Sequence, residues 1–231
     1  MQSLPNQFHT LIIGSSGAIG QAFDEQLQQD PRCGSITRIG RNEQISLDLT
    51  DPESIAEAAK ATTEFGPFHF ILVCTGVLHL ETITPEKKLG DINAEQMHTI
   101  FQINTFGPAL ILKHFHGLLS KERAIFALIS AKVGSIADNR LGGWYSYRAS
   151  KAALNMLIKT SAIEIARLRP NAACVALHPG TVKSQLSQPF GGEQKGQEPE
   201  VAATHMLASL DGVTAGPQAV FLSYDGTILP W

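Results

Sequence analysis

Residues 10–30 read TLIIGSSGAIGQAFDEQLQQD. The stretch opens with a short, β-branched apolar run that ends at Gly14, which reads as a strand. It closes with Ile19, Phe23 and Leu27 one turn apart, which is the apolar stripe of a helix. Between them lie Gly14, Gly17 and Gly20. A strand that turns through glycines straight into a helix lets backbone amides and a helix N-terminus approach a pyrophosphate without side chains in the way. The hydroxyls of Ser15 and Ser16 add donors to such a loop. A glycine-rich turn that binds nothing has the same composition. Its place at the first strand-to-helix turn favours a nucleotide.

The rest of the chain repeats this alternation. Strands are expected at 35–40, 68–74, 124–130, 173–177 and 219–223, with a further one through QISLDL (44–49). Helical patterns occupy the segment that begins DPESIAEAAK (51–60), about 94–118, 146 to about 168, and 198–210. Asp51 and Pro52 suit the cap and first position of their helix. Nearly all-apolar strands between helices imply a doubly wound α/β fold of Rossmann type: a mostly parallel sheet covered by helices on both faces. No linker, charge block or repeat divides residues 1–231, so they are expected to form one domain.

Composition narrows the class. The formal charge of −3, without a basic stripe, disfavours nucleic acid and anionic membranes as partners. No apolar run approaches the ~20 residues of a membrane span. The N-terminus has no signal-peptide pattern. Cys33, Cys74 and Cys174 are too widely spaced for a metal knuckle, and their odd number fits a reducing compartment, so the cytoplasm is expected. The histidines show no ligand spacing, and no metal is expected.

Cofactor choice turns on the end of the second strand. A carboxylate there would accept from the adenosine ribose and repel a 2′-phosphate. The chain has RIGRN instead, with Arg38 and Arg41, and arginine suits a phosphate by charge and by its planar fork of donors. NADP(H) is therefore favoured over NAD(H), with Arg41 as the principal contact. The alternative is that the arginines are solvated surface charges.

Residues 142–155, GGWYSYRASKAALN, hold two tyrosines and a lysine. Four residues separate neighbours on a helix face, which pairs Tyr147 with Lys151 and leaves Tyr145 above Ala149. An ammonium close to a phenol lowers a pKa that is ~10 unperturbed, so Tyr147 becomes a better acid toward a carbonyl oxygen. For that spacing alone, an ordinary surface contact is the commoner explanation.

These motifs together resemble the short-chain dehydrogenase/reductase family over essentially the whole chain. The resemblance implies that GSSGAIG is the cofactor loop, with Gly14, Ser15, Ser16, Gly17, Ile19 and Gly20, although the family usually has its glycines first, fifth and seventh. It implies that Asp48 meets the adenine ring with Leu49 beside it, and that Gly76 of CTGVL belongs to the cofactor wall. Asn104 would hold a water in a proton relay, Tyr147 would be the acid/base, and Lys151 would also bind the nicotinamide ribose. In HPGTVKS, Pro179, Gly180, Val182 and Ser184 would face the nicotinamide. The family's serine aligns on Ala131, so a one-residue bulge is needed to bring in Ser130, with Ser135 as the other candidate. Within the family, GSIADNRLGGWYSYRASKAALNM and YDGTILPW most resemble the C-factor and sniffer-like carbonyl reductase group.

The expected function is NADP-dependent reduction of a carbonyl, or oxidation of the alcohol, on a small-molecule substrate. The alternative is a cofactor-binding signalling protein of C-factor type with little turnover. His178, next to Pro179, reads as a loop residue that shapes the cofactor wall. Trp144 and Tyr145 suit the substrate side or the core. The polar segment after Ser184 suits a lid. The resemblance also implies a homodimer or homotetramer.

Overall fold

The computed structural model describes residues 1–231. Six strands, β1 (Phe8–Ile13), β2 (Cys33–Ile39), β3 (Phe70–Val73), β4 (Ala124–Ile129), β5 (Ala172–His178) and β6 (Val220–Ser223), form one sheet in the order β2-β1-β3-β4-β5-β6. Every neighbouring pair is parallel. Alternate side chains of a strand point to opposite faces, and both faces are covered. Leu11 and Ile13 join Phe126, Leu128 and Cys174 against α2 (Pro52–Thr62), α4 (Gly107–Phe115) and α5 (Tyr145–Leu168). Ile12 joins Phe70, Ile125 and Val175 against α1 (Ala18–Gln28) and α6 (Pro199–Asp211). This two-sided burial explains why the central strands β3, β4 and β5 are almost wholly apolar.

The chain leaves β1 toward β2 and then returns to β3 on the other side of β1. The strand order reverses there, and the carboxyl ends of β1 and β3 open a crevice, the usual ligand position in such sheets. Gly14 ends β1, and Cys74, Thr75 and Gly76 follow β3.

Two expectations need correction. Residues 44–49 form no strand; only an isolated bridge between Ile39 and Ile45 remains, and Leu47 turns into the core. The segment is too short to add a ladder and instead carries Asp48 and Leu49 to the crevice. The helix expected over 94–118 is broken into α3 (Ala94–Phe101), a π-turn at Gln102–Phe106, α4 and a short 3₁₀ turn. Asp51 caps α2 as expected, accepting from the Glu53 amide at 2.9 Å. No helix is long and apolar enough to cross a membrane.

Candidate active site

Two adjoining cavities occupy the crevice, and Cys74, Thr75 and Gly76 line both. One, of about 300 Å³, is bounded by Gly14, Ser16, Gly17, Gly40, Arg41, Asp48 and Leu49. The other, of about 260 Å³, is bounded by Ile19, Ser130, Tyr147, Lys151, Pro179, Gly180, Val182 and Ser184.

The glycine loop is built for close approach. Gly14 has φ +88°, in the region that favours glycine. A Cβ on Gly20 would lie 2.2 Å from the Gly14 carbonyl oxygen, so only glycine lets α1 start this near the loop. The start of α1 has no side-chain cap and no acidic residue in its first turn, which leaves its amides free for an anion. Thr75 Oγ1 is buried between the two cavities without a hydrogen-bond partner. A buried hydroxyl that lacks a partner inside a glycine-walled groove fits a polar ligand such as a nicotinamide dinucleotide.

At the outer end, Arg38 is held by Asp24 at 2.6 Å, whereas exposed Arg41 lines the cavity with no ion-pair partner. Asp48 also lines it; its Oδ1 accepts from the Thr50 amide at 2.8 Å, which lowers its pKa. Ser15 does not line either cavity. It is buried, and its hydroxyl donates to Glu43 Oε1 at 2.5 Å. No carboxylate stands at the end of β2, yet the turn after β2 brings Glu43 back onto the glycine loop.

At the inner end, α5 presents Tyr147 and Lys151 one turn apart, 9% and 2% exposed. Lys151 Nζ donates to the Ile129 carbonyl at 3.0 Å and lies 6.0 Å from the centre of the Tyr147 ring. The expected lowering of the Tyr147 pKa does not occur. Burial pushes the phenol up to about 12 and Lys151 down to about 8. Burial also takes His178 down to about 4, so it is neutral at physiological pH, and its Nδ1 accepts from the Lys132 amide at 3.2 Å.

Asn104 sits in the π-turn between α3 and α4, fully buried. Its Oδ1 accepts from the Val77 amide and its Nδ2 donates to the Val77 carbonyl, both at 2.8 Å. A Cβ on Gly76 would meet Lys151 Nζ at 3.1 Å and Asn104 Oδ1 at 3.2 Å. The two polar groups therefore converge on one point beside Gly76.

The serines separate cleanly. Ser130 follows β4 and lines the inner cavity with Tyr147. It needs no bulge: β4 and β5 pair in regular register to Ile129–Leu177, and the Ser130 amide continues the ladder to the Leu177 carbonyl at 2.8 Å. Ser135 lines a different hollow with Tyr145, and its hydroxyl accepts from the Asp138 amide at 3.1 Å.

Two further residues, Glu86 and Asn155, are singled out by no motif of the sequence yet shape the site. Buried Glu86 accepts through its backbone from the Trp144 amide at 2.5 Å and through its carboxylate from the Ser146 amide and hydroxyl. Trp144 has φ 52°, a left-handed conformation unusual for a large side chain, and Glu86 secures the turn that starts α5. Asn155 lies one turn beyond Lys151, 3% exposed, and accepts from the Ser130 hydroxyl at 2.6 Å. Its spacing from Tyr147 and Lys151 was the available signal. Trp144 also packs edge-on against Tyr147 and Phe190, with ring centres 6.2 and 5.2 Å away. Phe190 belongs to the segment after Ser184, which folds over the inner cavity.

A family profile described as enoyl-(acyl carrier protein) reductase matches residues 22–227. The chain is 28% identical over 230 residues to 1-hydroxy-2-glutathionyl-2-methyl-3-butene dehydrogenase of Rhodococcus sp. (strain AD45), covering 96% of this chain and 98% of that one. It is 34% identical over 145 residues to the C-signal protein of Myxococcus xanthus, covering 62% of this chain and 83% of that one. An NADPH-bound carbonyl reductase from chicken fatty liver shares the fold, with a TM-score of 0.82 at 22% identity over 99% of this chain and 96% of that one. The chain belongs to the short-chain dehydrogenase/reductase family of NAD(P)-dependent oxidoreductases.

Proposed function

We propose that the protein is an NADP(H)-dependent reductase of small carbonyl compounds. The observation that carries this reading is the convergence of Ser130, Tyr147 and Lys151 on one cavity that continues into the glycine-loop cavity.

Gly14, Gly17 and the start of α1 would hold the pyrophosphate, Arg41 a 2′-phosphate, Asp48 and Leu49 the adenine, and Gly180, Val182 and Ser184 the nicotinamide. A nicotinamide held there would supply the hydride for the carbonyl carbon. Ser130 donates a hydrogen bond to the carbonyl oxygen, and the Tyr147 hydroxyl transfers its proton to that oxygen as the alcohol forms. A phenol near 12 is fully protonated at neutral pH, the form that reduction needs. The Lys151 cation favours the phenolate left behind, and Asn104 with Lys151 leads the replacement proton in.

Tyr147→Phe keeps the ring and removes the proton. It should nearly abolish NADPH oxidation across a panel of aldehydes and ketones while NADPH affinity stays within a few fold. Tyr145→Phe should be mild. Equal losses in the two variants would refute the assignment. The similarity to C-signal supports a second reading, a cofactor-binding signalling protein with little turnover. NADPH binding without oxidation on any carbonyl would favour it.

A further inference from the structure

Tyr147, Lys151 and Asn155 are spaced four apart along α5 and form one polar stripe on its buried face. Asn155 touches neither Tyr147 nor the cavity. Its partner is Ser130: the serine hydroxyl donates to Asn155 Oδ1 at 2.6 Å, and both side chains are at most 3% exposed. A serine hydroxyl has one hydrogen to give. In this arrangement that hydrogen is committed to Asn155, so it is not free for a carbonyl in the cavity. The amide carries donors at its other end, and Asn155 Nδ2 makes a single long contact, 3.5 Å to the Gly134 carbonyl. Little holds the amide in this orientation.

We propose that Asn155 is a positioning residue that acts through Ser130. Without substrate it accepts the Ser130 hydrogen and fixes the side chain toward the cavity. With substrate present the amide turns over, Nδ2 donates to Ser130 Oγ, and the Ser130 hydrogen swings onto the carbonyl oxygen. Hydrogen bonds in such a chain polarise one another, so Ser130 becomes a stronger donor than an isolated hydroxyl. No covalent bond changes in this step. The inference rests on the reading of Ser130 as the hydroxyl that polarises the substrate.

The test is a set of variants: Ser130→Ala, Asn155→Ala, Asn155→Asp and the two Asn155 changes combined with Ser130→Ala. Loss of a single oxyanion donor costs roughly 10²–10³ in kcat, and Ser130→Ala should fall near the lower end. Asn155→Ala should lower kcat by about 10-fold, because Ser130 keeps its hydrogen but loses its support. Asn155→Asp should be worse than Asn155→Ala, since a carboxylate can accept the Ser130 hydrogen and cannot give one back. In the Ser130→Ala background both Asn155 changes should alter kcat by less than about 2-fold, the non-additivity expected of residues that act as a unit. A new charge beside Lys151 would act in both backgrounds and so would be visible. NADPH affinity, followed by fluorescence titration, should be unchanged throughout.

Where Ser130→Ala is slow, either of two results overturns the proposal: Asn155 effects that persist undiminished without Ser130, or Asn155→Asp as active as Asn155→Ala. If Ser130→Ala itself leaves kcat unchanged, the role of Ser130 fails and the proposal fails with it. That outcome is distinct from a slow Ser130→Ala enzyme with additive Asn155 effects, which would refute Asn155 alone.

Discussion

Replacing Lys151 by methionine should separate the contribution of this lysine to stability from its contribution to chemistry. The ammonium is almost fully buried, and burial lowers its pKa from 10.5 to about 8. At about 1.4 kcal/mol for each tenfold in proton affinity, holding the charge inside the folded protein costs about 3 kcal/mol below pH 8. Between pH 8 and 10.5 the unfolded chain keeps a proton on Lys151 that the folded chain has released, so stability rises with pH across that window. Above 10.5 neither form carries the proton and the cost is gone. Methionine matches the length of the lysine stem and has no charge to desolvate. It leaves the Ile129 carbonyl without its donor, a loss of about 1–3 kcal/mol that does not depend on pH. The stability of Lys151→Met relative to wild type should therefore be roughly 2–3 kcal/mol more favourable at pH 7 than at pH 10. Urea unfolding of the cofactor-free proteins at the two pH values measures this difference. The variant should be catalytically crippled at both. A stability difference that does not change between pH 7 and 10 would refute the claim that the fold holds Lys151 as a desolvated cation.

Wild-type reduction should decline as pH rises through about 8, because Lys151 loses the charge that favours the Tyr147 phenolate; a flat rate from pH 7 to 9.5 would contradict this. Arg41→Ala should weaken NADPH binding about 10-fold, the low end for one charge-assisted contact to a partly solvated phosphate, and leave NADH binding nearly unchanged. An unaltered NADPH/NADH ratio would make Arg41 a surface charge. Ser135→Ala should leave kcat within about 2-fold of wild type, far from the roughly 10²-fold loss of an oxyanion donor; a larger loss than for Ser130→Ala would reverse the choice of serine. Glu86→Ala strips the Ser146 amide and hydroxyl of their acceptor and should cost about 1–3 kcal/mol in urea unfolding. Because Trp144 and Tyr147 follow that turn, its KM for carbonyl substrates should rise more than its affinity for NADPH falls.

Much of what depends on short range was legible in the sequence, although the break at Gln102–Phe106 was not. Thr10 to Asp30 holds a strand, a glycine turn and a helix in immediate succession, and hydrophobic period alone separates the three. Tyr147 rather than Tyr145 could be chosen because helix geometry puts a side chain beside the one four residues on. The same rule reaches Asn155, but an asparagine on a buried helix face has no chemistry until its partner is known. That partner, Ser130, arrives from β4, and the register of β4 against β5 sets its position. Alignment alone placed Ala131 at the site and left Ser130 and Ser135 open. Only the sheet shows that Ser130 enters the cavity with Tyr147, while Ser135 turns to the hollow beside Tyr145. Glu43 and Glu86 were invisible for the same reason: one meets Ser15 across 28 residues and the other meets Ser146 across 60. The sign of the Tyr147 shift also came from the tertiary structure. Helical spacing places the ammonium near the phenol, but the packing of α5 against the sheet buries both groups, and that desolvation pushes the phenol up.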